Sequence, residues 1–243
     1  MTRAGAPGGG RGRSASVPQA ALHWERLYDS GERPWGESPS ELARLAVARL
    51  RPASRSSAGE SAFTLLDVGC GYGRDSRYLT AELRCQVVGI DPSPAAVLAA
   101  RSVRSHGLAV DYVVDDAVTF AAQAGEAGRY DVVFAGQVYA LLGPAGRREF
   151  VEALAALTRP RGLLFLSTLS PRDPQHYAVG RPVSGEKRSW IEHIYLHFCT
   201  AEELAADFAA FDVLDLEERS YQEDKPDGGV HRHASWFLEG RRR

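Results

Sequence analysis

The sequence predicts an α/β protein built on a doubly wound, seven-stranded sheet, mostly parallel and closed by a C-terminal antiparallel hairpin. Three observations carry that expectation. An apolar run ends on Asp67 and breaks into glycines at Gly69, Gly71 and Gly73 just before a helix-like stretch. Short apolar runs then alternate with helical patterns along the middle of the chain. Two strand-like stretches joined through Asp227-Gly228-Gly229 end it.

The first strand is read at Leu65-Leu66-Asp67-Val68, followed by Gly69-Cys70-Gly71-Tyr72-Gly73-Arg74. Glycine at every second position lets the backbone turn sharply with no Cβ in the way, so a ligand can lie against the main chain and the following helix N-terminus. A dinucleotide fingerprint wants G-x-G-x-x-G. Here the third glycine comes one residue early, and Arg74 stands where that pattern wants Gly or Ala. Asp67 at the strand tip would repel a pyrophosphate and welcome an ammonium group. Residues 85–90 read as a second strand ending on Asp91, 18 residues past Gly73. A carboxylate there is placed to accept hydrogen bonds from both hydroxyls of a ribose. Ser93 and Pro94 read as N-cap and first residue of a helix over 95–104. A third strand is expected at 110–114, running into Asp115-Asp116-Ala117, and a fourth at 130–134, running into Ala135-Gly136-Gln137-Val138-Tyr139.

Residues 146–157 have helical periodicity stopped by Pro160, and 162–168 form a buried fifth strand. The polar, Pro- and Gly-containing segment 169–190 is long enough to be a lid or a disordered loop. Thr200-Ala201-Glu202-Glu203 is a capping box opening a helix to about Ala209, and the closing strands are expected at 212–221 and 230–238.

Composition limits the functional classes. A chain of 243 residues can bury a proper core, and residues 21–243 read as a single domain behind a disordered tail over 1–20. A formal net charge of −2 gives no global attraction to nucleic acid or to acidic membranes. No stretch approaches the roughly 20 apolar residues of a membrane span, and the first twenty residues have no apolar signal core. Cys70, Cys85 and Cys199 have no metal or redox spacing and suggest free thiols in the cytoplasm. Arg outnumbers Lys 27 to 2, which reads as the coding bias of a GC-rich bacterial genome.

The pattern D-x-G-x-G-x-G from Asp67 to Gly73 resembles the first motif of the class I S-adenosylmethionine (SAM)-dependent methyltransferases. SAM carries an ammonium and a sulfonium and no phosphate. The resemblance extends over residues 60–168 and implies a Rossmann-like sheet, SAM as cofactor and S-adenosylhomocysteine as product. It implies a cofactor site of Asp67, Gly69, Cys70, Gly71 and Gly73 at the first turn, with Asp91 and Pro92 at the ribose. Asp116 and Ala117 would meet the adenine, and Gln137 would sit in the loop facing the reactive methyl. A looser likeness, carried by residues 71–79, by Val179-Gly180-Arg181-Pro182 and by the late histidines, is to the tellurite-resistance and thiopurine-type enzymes, which modify small nucleophiles. Trp24, Tyr28 and Pro34-Trp35-Gly36 are similar to the N-terminal lid of that group. The fourth-strand loop lacks the N/D-P-P-Y/F/W element of enzymes that methylate DNA bases. The implied partner is a small-molecule acceptor, not a nucleic acid or a membrane.

On the acceptor side, methyl transfer needs alignment in a dry site, and a base is optional. The expected acceptor contacts are Trp24, Tyr28, Trp35, Tyr139, Trp190, His193 and His197, with His193 as candidate base and Tyr139 beside it. His193 and His197 are four apart, and His231 and His233 share a face if their segment is a strand. Three readings stay open for these histidines: structural groups at a strand edge, acceptor-pocket groups, or a metal site built from the two pairs. No carboxylate motif completes such a site, and no metal is assigned.

Overall fold

The computed structural model describes residues 19–54, 63–103, 107–123, 125–224 and 228–243. Two helices come first, α1 (Gln19–Asp29) and α2 (Glu41–Ser54), so Gln19 and Ala20, assigned above to the tail, are helical. Residues 1–18 of that tail lie outside the described residues. The alternating part runs β1 (Thr64–Val68), α3 (Arg74–Leu83), β2 (Gln86–Asp91), α4 (Pro94–Ser102), β3 (Val110–Val114), α5 (Ala117–Ala121), β4 (Tyr130–Gly136), α6 (Pro144–Leu157) and β5 (Thr158–Leu169). Next come three short strands, β6 (Arg181–Pro182), β7 (Ser189–Ile191) and β8 (Tyr195–His197), then α7 (Ala201–Asp207) and the long hairpin β9 (Phe211–Asp224) and β10 (Val230–Arg242).

The seven-stranded sheet has the order β3-β2-β1-β4-β5-β10-β9. The first five strands pair in parallel, and β10 runs antiparallel to both β5 and β9. Both faces are covered, which is why the central strands read as continuous apolar runs. Successive side chains go to opposite cores: Leu65, Val132, Phe134 and Phe165 pack with α2 and α3, while Leu66, Val133, Ala135 and Leu164 pack with α6 and α7.

The boundaries moved for identifiable reasons. Strand β5 starts at Thr158, four residues before the expected start. Its register with β4 slips between Tyr130 and Val132, which accommodates Pro160 at an irregularity. The hairpin strands are longer than expected because β9 lies at the sheet edge, where its charged residues stay exposed and give no apolar signal. Ser93 caps α4 as expected, accepting the Ala96 N–H, while Arg104 falls outside the described residues. Segment 169–190 is mostly turns but contributes β6 and the start of β7, which pair with β8 in a small antiparallel sheet beside the cavity at the C-terminal ends of the parallel strands. Among the described residues no helix is long and apolar enough to cross a membrane.

Candidate cofactor and acceptor site

The strand order reverses between β1 and β4, and ligands of open α/β sheets bind at such a point, beyond the carboxyl ends of the strands. A cavity of about 300 Å³ lies there. Its floor is the turn after β1. The Gly69 and Cys70 N–H groups both donate to the Ile90 carbonyl, at 2.8 and 3.0 Å, tying the turn to β2. Gly69 has φ +73°, and a Cβ there would sit 2.3 Å from Val138 Cγ2. Gly71 has φ +53°, and a Cβ there would sit 2.9 Å from the Tyr28 hydroxyl.

Asp91 closes one side. Its Oδ2 accepts the Gly71 N–H at 2.9 Å and its Oδ1 accepts the Ser93 N–H at 2.9 Å, so each oxygen keeps a lone pair for a further donor. Burial pushes this carboxyl above its ordinary range; the Ser93 and Gly71 hydrogen bonds oppose the shift, and the Glu25 charge adds to it. Pro92, Gly136, Gln137 and Val138 complete the edge facing the sheet.

The N-terminal segment forms the roof. Trp24 stacks on Tyr28 with ring centroids 6.0 Å apart, and Trp35 lies 6.4 Å from Trp24. Two hydrogen bonds fasten this roof to the glycine turn: Arg74 Nη1 donates to the Trp35 carbonyl at 2.7 Å, and the Tyr72 hydroxyl donates to the Gly36 carbonyl at 2.7 Å. Helix α1 is held on α4 by Glu25, whose carboxylate accepts the Ser93 hydroxyl and, at 3.3 Å, the Ala95 N–H. Tyr28 is deeply buried, which drives its phenol far above its usual range with Asp91 adding to the effect, so it stays a neutral hydroxyl.

Of the expected cofactor residues, Gly69, Cys70, Gly71, Asp91, Pro92 and Gln137 line this cavity, and so do the expected acceptor contacts Trp24, Tyr28 and Trp35. The others do not. Asp67 lies behind the turn, buried and accepting the Ser76 hydroxyl at 2.5 Å; burial pushes its carboxyl up to about 7 against that hydrogen bond. Gly73 caps α3 and seats the Tyr112 ring. Asp116 caps α5, accepting the Val118 and Thr119 N–H groups at 2.9 and 3.0 Å, and Ala117 is a buried residue of that helix. These contacts engage the Asp116 carboxylate in capping its own helix, and Asp116 is not among the residues lining the cavity.

The expected catalytic pair needs correction. Tyr139 is fully buried in the core, its hydroxyl donates to the Asp207 carboxylate and its ring packs 5.6 Å from Phe208. His193 sits in the bend between β7 and β8 with its side chain 80% exposed, 3.8 Å from Glu192. Neither lines the cavity. Their intervening strand geometry also separates His193 from His197, which is buried between Ser189 (Nδ1, 2.9 Å) and Glu203 (Nε2, 3.0 Å). Trp190 packs edge-on against Tyr177 and Phe198 instead. The two histidine pairs do not assemble a joint metal site: His197 groups with Cys199 and Glu203, and His233 with Asp173 and His176.

The cavity is also lined by His176, Tyr221, Glu223 and Phe237, which the sequence pattern did not single out, and by His233 on β10, one of the histidines whose role the sequence left open. Tyr221 and Glu223 alternate along β9, so the period of two was the available signal.

The residues present suit an adenosylated amino-acid cofactor, because two buried polar atoms on the cavity wall have no hydrogen-bond partner among the described residues. They are Gln137 Oε1, an acceptor, and Trp24 Nε1, a donor. The Gln137 amide nitrogen is committed to Ser235 Oγ at 3.0 Å and Tyr221 at 3.3 Å, and the residue is held at φ +61°, a strained setting for a side-chain-bearing residue.

A reversed strand order, a glycine turn and a carboxylate at the next strand tip define an α/β protein of the nucleoside-binding class. Comparison with known proteins narrows this. A family model described as a methyltransferase domain matches residues 65–162. The chain is 34% identical over 170 residues to the ubiquinone biosynthesis O-methyltransferase of Methylocella silvestris, covering 68% of this chain and 63% of that protein. It is 33% identical over 175 residues to the protein of the same name from a Methylobacterium species, covering 69% of this chain and 68% of that one. The chain thus spans about two thirds of the length of these relatives. Its fold matches the crystal structure of Burkholderia thailandensis 1,6-didemethyltoxoflavin-N1-methyltransferase with bound 1,6-didemethyltoxoflavin and S-adenosylhomocysteine. That likeness has a TM-score of 0.61 and 22% identity, and it covers 98% of this chain and 93% of that one. The chain belongs to the class I SAM-dependent methyltransferases, and the cofactor of that family is SAM.

Proposed function

We propose that this chain is a SAM-dependent methyltransferase that modifies the hydroxyl of a small molecule by in-line displacement. Residues 21–243 act as one unit in this reading. The observation that carries it is the placement of Asp91, the Gly69 to Gly71 turn and the unpartnered Gln137 and Trp24 atoms around one cavity with an aromatic roof. When bound, SAM supplies a methyl group already activated by a positive sulfonium. Asp91 would hold the ribose hydroxyls, and Gln137 Oε1 would accept from an ammonium or amide donor. Trp24, Tyr28 and Trp35 would exclude water, so that alignment accounts for much of the rate. A hydroxyl acceptor is favoured over an amine or thiol because the relatives cited above are named O-methyltransferases. A cytoplasmic location fits three buried, unpaired cysteines.

The test is incubation of the full chain with methyl-labelled SAM and a panel of phenol, carboxylate, amine and thiol acceptors, read by mass. Gain of one methyl by a hydroxyl compound is expected. Tight SAM binding with no label transferred to any acceptor class would overturn the enzymatic reading.

A further inference from the structure

Asp173 and His233 are 60 positions apart in sequence and meet at the cavity wall. The Asp173 side chain is completely buried. Its Oδ1 accepts the N–H groups of His176 at 2.9 Å and Gln175 at 3.1 Å. Its Oδ2 accepts the Ala234 N–H at 3.1 Å and lies 3.3 Å from His233 Nδ1. Burial pushes this carboxyl up, but the hydrogen bonds from His233, His176, Ala234 and Gln175 outweigh it and hold the group below the usual carboxylate range. An ionised carboxylate can only accept. The hydrogen of a neutral His233 ring therefore sits on Nδ1, and Nε2 keeps its lone pair.

The ring is boxed in by aromatic groups. His176 stacks on it at 5.6 Å with an 18° interplanar angle, Tyr221 lies at 5.4 Å, His231 at 5.4 Å and Trp35 at 6.4 Å. Beyond Nε2, Glu223 Oε2 stands at 3.8 Å, and Glu223 in turn faces Arg74 at 3.6 Å. Asp173, Glu223, Arg74, His176, His231 and Tyr221 are thus the titratable and charged groups around the imidazole.

We propose that His233 is the base that removes the proton from an aromatic hydroxyl acceptor seated in the cavity, with Asp173 as its positioning residue. The proposal rests on the methyl-transfer reading above and names the acceptor class. The aromatic side chains of Trp35, Tyr28, Tyr221 and Phe237 line the cavity, a composition that suits a flat ring. A neutral imidazole can deprotonate an aryl hydroxyl, with an acidity near that of tyrosine at about 10, far more readily than an aliphatic alcohol. In the step, the acceptor O–H bond breaks and its proton goes to Nε2. The oxygen electron pair forms the new bond to the methyl carbon, and the pair of the old methyl–sulfur bond goes to sulfur, leaving a neutral thioether. The proton then passes from His233 to water. A carboxylate that fixes the tautomer and orientation of a basic histidine is a known division of labour.

The experiment uses the full chain with S-adenosylhomocysteine and 4-nitrophenol, whose anion absorbs visibly, at a pH below the probe's own pKa. The bound probe in the wild type should be ionised to an extent several-fold above the free probe, and His233→Gln should return it to the free value with S-adenosylhomocysteine affinity unchanged. Nitrogen-15 spectra of histidine-labelled protein should show His233 as the Nδ1-protonated tautomer, and Asp173→Asn should lose that signature. A bound probe that stays neutral, ionisation that survives His233→Gln, no binding of the probe, or an Nε2-protonated His233 in the wild type would each overturn the proposal. If Asp173→Asn does not fold, the wild-type spectrum alone decides the tautomer. Loss of S-adenosylhomocysteine binding by the wild type would instead strike at the methyl-transfer reading, so the two failures are distinguishable.

Discussion

The Asp91 carboxylate accepts the backbone N–H of Gly71 at 2.9 Å, tying the tip of the second strand to the turn after the first. One group thereby shapes the turn and presents lone pairs to the cavity. Both oxygens are free to accept only while the group is ionised, and burial raises its pKa above the ordinary range. S-adenosylhomocysteine affinity is expected to weaken on acidification at a higher pH than an unperturbed carboxylate, at 3.8, would dictate. Calorimetric titrations across mildly acid pH check this; affinity that stays flat down to the ordinary carboxylate range would contradict it.

Gly69 and Val138 are in mutual steric dependence. Gly69→Ala places a Cβ 2.3 Å from Val138 Cγ2 at φ +73°. The left-handed backbone alone costs about 1–2 kcal/mol for an L-residue, and the clash adds to it. Val138→Ala in the Gly69→Ala background should recover the steric part and leave the backbone part. Urea melts of both single variants and the double variant read the partition, and simple additivity would show that the contact is not felt.

Asp67 makes a prediction about stability and pH. Its unfolded-state pKa is near 3.8 and burial raises the folded value to about 7. Between these values the folded state holds a proton that the unfolded state has released, so stability falls as pH rises through the window and is level above it. At ~1.4 kcal/mol per unit the full change is on the order of 4 kcal/mol. Asp67→Asn removes the titration while keeping a polar partner for Ser76. The variant should gain on the wild type from pH 4 to pH 7 in denaturant melts, and a gap independent of pH would refute the buried-charge account.

The parallel half of the fold was legible because strands buried on both faces are continuous apolar runs, stopped by glycine or a carboxylate. The place of Asp91 at the cavity was legible for the same reason: a strand tip is a local feature. His233 was named for its strand face, but Asp173 and the contact between the two were not, because that pairing depends on how β10 is placed beside β5, and no local pattern reports a contact 60 residues apart. Tyr139 misled by chemistry. It follows the fourth strand by three residues, yet a 3-10 turn over Tyr139–Leu141 rotates it into the core while Val138 and Ala140 reach the cavity. His193 misled by spacing, since the four residues to His197 cross a bend between two strands. Asp116 was read as a ligand and serves its own helix, a use to which Asp is equally suited.

Equilibrium titration of S-adenosylhomocysteine into the full chain and into Asp91→Ala tests the central claim most directly. The cavity account predicts single-site binding by the wild type. It predicts about tenfold or greater weakening in the variant, matching the roughly 1.5–3 kcal/mol of hydrogen bonds to a charged group. Binding of equal strength to both proteins, or none to the wild type, would contradict the placement of the cofactor against Asp91 and the glycine turn.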